Sequence, residues 1–465
     1  MNAQVPKPNL SASPKAIWRL TWPQMLMMYI LFFSGVITIW VAGQISSDAQ
    51  AALGLVTQCA IFLMVVIMAI SSGATAAISQ SLGMGKTLRA RLYIVTTVLG
   101  SLGLGVVMSA LALLLEDQIL SLIKTPEQIL PMARRILRVS IIGLPLQYVY
   151  SCSGVMFRAT RLVLPPLWVS AIICVFNFVF ALGFGLGKFG FPNFGYMGLI
   201  WVNVACSGLG ALLNCLLLIR SGYLQFGRLP DLKWLKWAAP YLIKVALPAG
   251  AAQIVWQSGY LTLFVLVASL PRDNVSALAG LTAGLRAEAL IFMPGMAFNM
   301  TASILVGNSL GQGKPKRARR IGLQLTAVAA IIMSVIALFV WPFREEIAEF
   351  LSRDEATRSQ IISYLSYNLV STPFTIASQV MGGIMIGAGA TVYNLVIYGG
   401  SFWLIRLPLG WLLGHIVWQS SSGVFAAMVA SQVIQTFAML YVVLRRDWQK
   451  HAMTVSKTTN HRAKI

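Results

Sequence analysis

The sequence predicts an all-α integral membrane protein, with twelve transmembrane helices in two pseudo-symmetric six-helix lobes. Three observations predict it. Hydrophobic residues make up 57% of the chain, charged residues 10%, and the mean hydropathy is +0.76, whereas soluble domains carry about 25% charged residues. Apolar runs of roughly 20 residues, the length that crosses hydrocarbon as a helix, follow one another almost without pause. An eleven-residue segment also occurs twice. Residues 81–91 read S-L-G-M-G-K-T-L-R-A-R and residues 309–319 read S-L-G-Q-G-K-P-K-R-A-R, identical at eight positions and offset by 228 residues.

In chain order the spans are expected at 23–45, 51–80, 92–115, 136–158, 162–187, 196–219, 241–270, 276–308, 321–343, 360–387, 394–414 and 423–444. Residues 1–16 are polar, with no short apolar core before a small-residue cleavage site, so the first span itself would direct insertion. With the N-terminus in the cytoplasm, ten of the thirteen acidic residues fall in the outer loops: Asp48, Glu116, Asp117, Glu127, Asp273, Glu345, Glu346, Glu349, Asp354 and Glu355. About nine of the thirty-five Lys and Arg lie outside and about twenty-four inside, concentrated at Lys86/Arg89/Arg91, Arg228/Lys233/Lys236, Lys314 through Arg320, and from Arg445 onward. This is the positive-inside pattern. The net charge of +22 therefore reports orientation, with both termini cytoplasmic, and not a nucleic-acid partner. The expected location is a cytoplasmic (inner) membrane, crossed many times.

Pro145 matches Pro373 and Gly154 matches Gly382 at the same offset of 228. Six spans per half is an even number, so both copies enter the membrane from the same side and the repeats are parallel. The expected organisation is an N-terminal lobe over 1–220, a basic, Trp-containing cytoplasmic linker over 221–240, a C-terminal lobe over 241–446 and a basic tail over 447–465. Internal repeats in a membrane chain are the usual mark of a two-lobed transporter, with a cavity between the lobes. The five cysteines, Cys59, Cys152, Cys174, Cys206 and Cys215, form no C-x-x-C pair and read as small apolar residues in helix packing.

Four features, together and in register, resemble the multidrug and toxic compound extrusion (MATE) family of secondary exporters. They are the paired S-L-G-x-G-K loops after spans 2 and 8, G-V-M-F-R-A-T-R at 154–161, R-A-E-A-L-I-F-M-P-G at 286–295 and R-L-P-L-G at 406–410. The resemblance covers residues 20–448. It implies two six-helix lobes alternating between outward and inward access, expelling organic compounds such as drugs, toxins or metabolites against an inward flow of H⁺, expected here, or of Na⁺. The expected partners are a small organic substrate and the lipid bilayer, with no nucleic acid, no nucleotide and no cofactor beyond the coupling ion, in a monomer. A lipid-linked substrate flippase of the same fold superfamily is the alternative. A membrane enzyme finds no support, because no H-E-x-x-H, G-x-S-x-G or paired intramembrane carboxylates occur.

The G-M-G-K-T at 83–87 is not a phosphate loop. A Walker A motif needs Gly where this chain has Gln80, and the second copy ends G-K-P. A tight cytoplasmic turn, with Gly at positive φ, is the expected role. Glu288 is the acidic residue placed well inside a span, twelve positions into span 8. A lone carboxylate there is unfavourable unless paired, hydrated or protonated, which makes it the ion-coupling candidate. The competing role is a permanent ion pair with Arg286 or Arg406. Pro294 and Gly295, within two turns of Glu288, are hinge candidates. Many family members carry an Asp in span 1, a Glu in span 7 and an Asp after span 10. Counting from Gly43 and Pro248, these positions fall on Thr38, on Trp256 or Gln257, and near Ala390, all non-acidic. Polar or aromatic residues on otherwise apolar spans are candidates for lining a substrate cavity: Tyr29, Thr38, Gln58, Asn177, Gln253, Trp256, Gln257 and Asn299. Each competes with an ordinary interhelical hydrogen bond or an interfacial anchor.

Overall fold

The computed structural model describes residues 14–122, 125–225 and 230–453, among which there is no strand. The first half comprises α1 (Pro14–Ile45), α2 (Ser47–Gly83), α3 (Thr87–Leu114), the short α4 (Glu116–Leu122), α5 (Leu130–Ile142), α6 (Leu144–Ala159), α7 (Leu164–Leu186) and α8 (Gly195–Arg220). The second comprises α9 (Leu232–Ala268), α10 (Asn274–Gly311), α11 (Pro315–Val340), α12 (Arg344–Leu351), α13 (Glu355–Ala388), α14 (Val392–Gly400), α15 (Leu407–Trp411) and α16 (Ser421–Arg445). Among the described residues, eleven stretches are long and apolar enough to cross a membrane, twelve if the bent pair α5–α6 counts as one span. The chain is a multi-pass membrane protein. Arg228 and residues 454–465 of the expected tail lie outside the described residues.

The spans differ from expectation where local chemistry intervenes. Span 4 is two helices meeting at 51°, because Pro145 opens α6 and interrupts the backbone ladder just after Gly143. Span 11 is not uniform: α14 runs into a π-helix at Ser401–Arg406, then α15, then a second π-helix at Leu412–Val417. Pro408 has no N–H for the carbonyl four residues back, a local cause for departing from the α ladder. Helix α9 begins at Leu232, inside the segment read as linker. Its Trp234 packs edge-on to Tyr93 at 5.0 Å, and its Trp237 lies under the Arg89 guanidinium at 4.5 Å.

Two compact units are present. The first holds the described residues up to Ala74, together with Leu88–Trp237 and Leu285–Thr301. Here α7 packs against α1 and α8, and α6 against α8. The second holds Thr75–Thr87, Ala238–Gly284 and the described residues from Ala302 onward. Its centre is α13, packed against α11 and α16 and buried along most of its length. Side chains from neighbouring helices reach successive turns of α13. Thr436 donates to the Phe374 carbonyl at 2.7 Å, Tyr398 to Ser378 at 2.9 Å and the Asn394 amide to Gly382 at 3.0 Å. Each adds a second donor to a helix carbonyl and ties α13 to α14 and α16.

The S-L-G-x-G-K part of each copy, 81–86 and 309–314, lies in the second unit, and the two fold alike. Lys86 N–H donates to the Ser81 carbonyl at 3.0 Å and Gly85 N–H to Leu82 at 3.1 Å, with Gly85 at φ +73°. Lys314 N–H donates to Ser309 at 3.1 Å and Gly313 N–H to Leu310 at 2.9 Å, with Gly313 at φ +70°. Each is a Schellman stop, so the second glycine of each motif makes the expected turn. The first glycine has a different role. A Cβ on Gly83 would stand 2.2 Å from the Asn308 carbonyl oxygen, and one on Gly311 would stand 2.1 Å from that of Gln80. Position 80 matches 308 and position 83 matches 311 at the repeat offset of 228, so the two helix ends cross on a local pseudo-twofold axis.

Candidate functional site

In the first unit, the 285–301 stretch of α10 lies against α1. Thr21 and Thr301 hydroxyls are 3.1 Å apart, and the Gln24 amide donates to Thr301 at 3.0 Å. Two residues beyond Glu288, the Tyr29 hydroxyl donates to the Leu290 carbonyl at 3.3 Å. That carbonyl lies four residues before Pro294, which has no N–H to offer it. Tyr29 therefore supplies the donor that the proline removes, and α10 continues as one helix through Pro294 and Gly295, both buried. Glu288 is buried, at 6% exposure. Arg286 is exposed; two positions apart on a helix, the two side chains diverge by about 200°. Asn299 is half-buried and Gln58 exposed.

The remaining polar interior of this unit spans α1, α6, α7 and α8. Thr38 is buried but donates back to the Ser34 carbonyl of its own helix at 3.1 Å. The Asn177 amide approaches Asn203 Oδ1 at 3.5 Å and Cys206 Sγ at 3.8 Å, while its own Oδ1 has no hydrogen-bond partner among the described residues. Arg158, from the fourth-span motif, is half-buried; its Nη1 lies 3.7 Å from Met27 Sδ and would be 4.0 Å from a Cβ on Gly154. Asn214 is likewise buried, with an Oδ1 that has no hydrogen-bond partner among the described residues; neither it nor Asn203 carries a sequence signal, since polar residues on a span give no sign of which turn faces inward.

In the second unit, Gln253, Trp256, Gln257 and Tyr260 fall at i, i+3, i+4 and i+7 on α9, a single face, and all four are half-buried. Trp256 lies 5.3 Å from Tyr260 and 5.6 Å edge-on from Phe402, ring centre to ring centre. Tyr260 and Phe402 are 5.2 Å apart. Gly259 makes the notch for this packing, because a Cβ there would meet the Phe402 ring at 2.6 Å. Arg406 is buried at 1% exposure, and its guanidinium lies 4.4 Å over Phe402 and 5.8 Å from Trp256. Its Nε donates to Ser431 at 2.9 Å. The structure thus brings Trp256 and Arg406 together, across 150 residues of sequence. Ala390 is buried.

The profile of the MatE family matches residues 23–182 and 248–412, well over half of the chain. This protein belongs to the MatE family. A probable multidrug resistance protein, NorM, from Thermotoga maritima is 23% identical over 97% of this chain and 96% of its own length. A second, YpnP from Bacillus subtilis, is 26% identical over 85% and 87%. Protein DETOXIFICATION 36 of Arabidopsis thaliana is 25% identical, but the match spans 45% of this chain and 42% of that protein, less than half its length. Two solved structures share the fold at 18% identity. VcmN of Vibrio cholerae in its bent form has a TM-score of 0.85, covering 94% of this chain and 96% of that one. A MOP superfamily transporter from Pyrococcus furiosus, described as having a binding pocket of reversed polarity, has a TM-score of 0.84 over 94% and 96%.

Proposed function

We infer that this MatE protein is a secondary active exporter of organic compounds, working by alternating access in a cytoplasmic membrane with both termini inside. Glu288 couples export to H⁺ entry, and the protein is a transporter and not an enzyme. The observation that carries the reading is a buried carboxyl within a span-length helix; two residues beyond it Tyr29 donates to the Leu290 carbonyl, which Pro294, six residues beyond it, leaves without a helix N–H. A carboxyl in such a place alternates between a protonated, neutral form and a charged form that demands water or a partner, which is the property a proton carrier uses. Relatives named as multidrug resistance proteins along nearly their whole length support the export of organic compounds. By the family resemblance the three usual acidic positions fall on Thr38, on Trp256 or Gln257, and near Ala390, none of them acidic here. One carboxyl can carry a proton, whereas replacing the hydration shell of Na⁺ takes several oxygen ligands, so H⁺ is the favoured ion.

Reconstitution in liposomes tests this, with a pH gradient and a Na⁺ gradient imposed separately and uptake of fluorescent organic solutes as the readout. The expected result is uptake driven by the pH gradient alone, lost in Glu288→Gln with its thermal unfolding unchanged. Wild-type rates in that variant would remove Glu288 from the mechanism. Transport driven only by Na⁺ would overturn the choice of ion.

A further inference from the structure

We propose that the face of α9 formed by Gln253, Trp256, Gln257 and Tyr260, backed by Arg406, is a binding site for planar organic anions, carboxylates or sulfonates on an aromatic frame. This deepens the exporter reading and rests on it for the direction of transport.

The guanidinium is the key group. Arginine does not give up its proton inside a protein, so a buried Arg406 is a permanent cation. It is the only buried Lys or Arg among the described residues. Within its own unit no described carboxylate is buried, since the buried acids Glu116 and Glu288 both belong to the first unit. Among the described residues its Nε donates to Ser431, and Nη1, fully shielded from solvent, has no partner. The faces of Phe402 and Trp256 offset part of the charge, but a ring face accepts no directed hydrogen bond. A guanidinium with an unused donor, beside half-buried aromatics, is matched by a flat anion that stacks on Trp256 and Tyr260 while its acid group takes the fork.

The stripe on α9 supplies the second part of the case. Gln253 and Gln257 add neutral amide donors one turn apart on the same face as the two rings. At the position where the family resemblance places a carboxylate, this chain has Trp256 or Gln257. The field on that face is therefore set by Arg406 without an opposing acid from α9. A cationic solute would meet repulsion there, and an anionic one attraction.

The test is equilibrium binding by the full chain in lipid nanodiscs, read as fluorescence anisotropy, with empty discs subtracted. Fluorescein is the planar anionic probe and ethidium the planar cationic one. Saturable binding of fluorescein is expected, weakened roughly tenfold or more by Arg406→Gln and less by Arg406→Lys. Gln257→Glu, at a half-buried position, should weaken fluorescein and strengthen ethidium. The proposal is overturned if wild type prefers ethidium, or if Arg406→Gln keeps its unfolding temperature and still binds fluorescein normally. Should Arg406→Gln not fold, an unchanged fluorescein affinity in Gln257→Glu overturns it instead. Fluorescein binding that follows these expectations without any gradient-driven uptake would sustain the anion site and sink the exporter reading.

Discussion

Gly83 and Gly311 each stand where the only tolerable side chain is a hydrogen atom, because a carbonyl oxygen of the facing helix occupies the place of Cβ at 2.2 and 2.1 Å. Neither contact can be relieved by rotating a side chain; the backbone itself must move. Gly83→Ala and Gly311→Ala are each expected to destabilise by about 1–3 kcal/mol, lowering the unfolding temperature in detergent by several degrees. Gly100→Ala is the control: nothing lies within 4 Å of its Cβ position, so added helix propensity should leave stability equal or slightly higher. Equal unfolding temperatures for all three variants would refute the crossing. The glycines of the repeated motif were legible in the sequence as turn residues, and Gly85 and Gly313 have the positive φ a turn requires. The role of Gly83 and Gly311 was not legible, because a helix crossing depends on which distant backbone arrives. The same holds for Arg406: the motif announced the residue, but the rings it stacks on are 4 residues away in one case and 150 in the other.

Among helices, the pairing of Tyr29 with Pro294 makes the sharpest statement. Two elements far apart in sequence share one backbone carbonyl, that of Leu290, which is orphaned by one residue and satisfied by the other. Tyr29→Phe should cost about 1 kcal/mol of stability. In a Pro294→Ala background the helix regains its own N–H donor, and the same Tyr29→Phe change should then be close to neutral. A double-mutant cycle on thermal unfolding measures that coupling, and strictly additive effects would refute it. Helices were the most legible level of the molecule, since a run of apolar residues long enough to span hydrocarbon leaves few alternatives. What the sequence missed came from prolines inside apolar runs. Pro145 broke span 4 into α5 and α6, and Pro408 accompanies the π-helical stretches of span 11, while Pro294 left α10 unbroken. The difference lies in what the neighbours supply to the freed carbonyl, which one element cannot reveal about itself.

For the molecule as a whole, the segment that follows α16, as far as Met453, is tied to the residue of α2 just before the repeated motif. After α16, Trp448 is buried and donates to Val443 at 3.0 Å, and the Met453 N–H donates to Gln80 Oε1 at 2.8 Å. The Gln80 amide reaches the Gly387 carbonyl at 2.8 Å and the Tyr241 hydroxyl at 3.0 Å. The residue that ruled out a phosphate loop is thus a crosslink. His451 sits in this segment, against Tyr393, and burial together with Lys244 and Lys450 pushes its imidazole below the usual histidine range. A histidine held neutral stabilises docking fully above its ordinary value of about 6.5, and that contribution is lost as pH falls through the lowered folded value. Hydrogen exchange of residues 446–453, corrected for intrinsic rates, should show protection falling from pH 7.5 to 5.5 on the order of this titration. His451→Gln should be flat across that range, and a flat wild type would end the idea. The parallel repeat and its offset could be read from the sequence, but not that Thr75–Thr87 joins the second unit and Leu285–Thr301 the first. That assignment has a consequence in time. As the chain emerges from the ribosome, the first unit still lacks its last piece when α8 and the start of α9 have been made. It must wait for the middle of α10. An N-terminal half released on its own would leave Thr21, Gln24 and Tyr29 without the residues they bind, so separately made halves should become stable only when produced together.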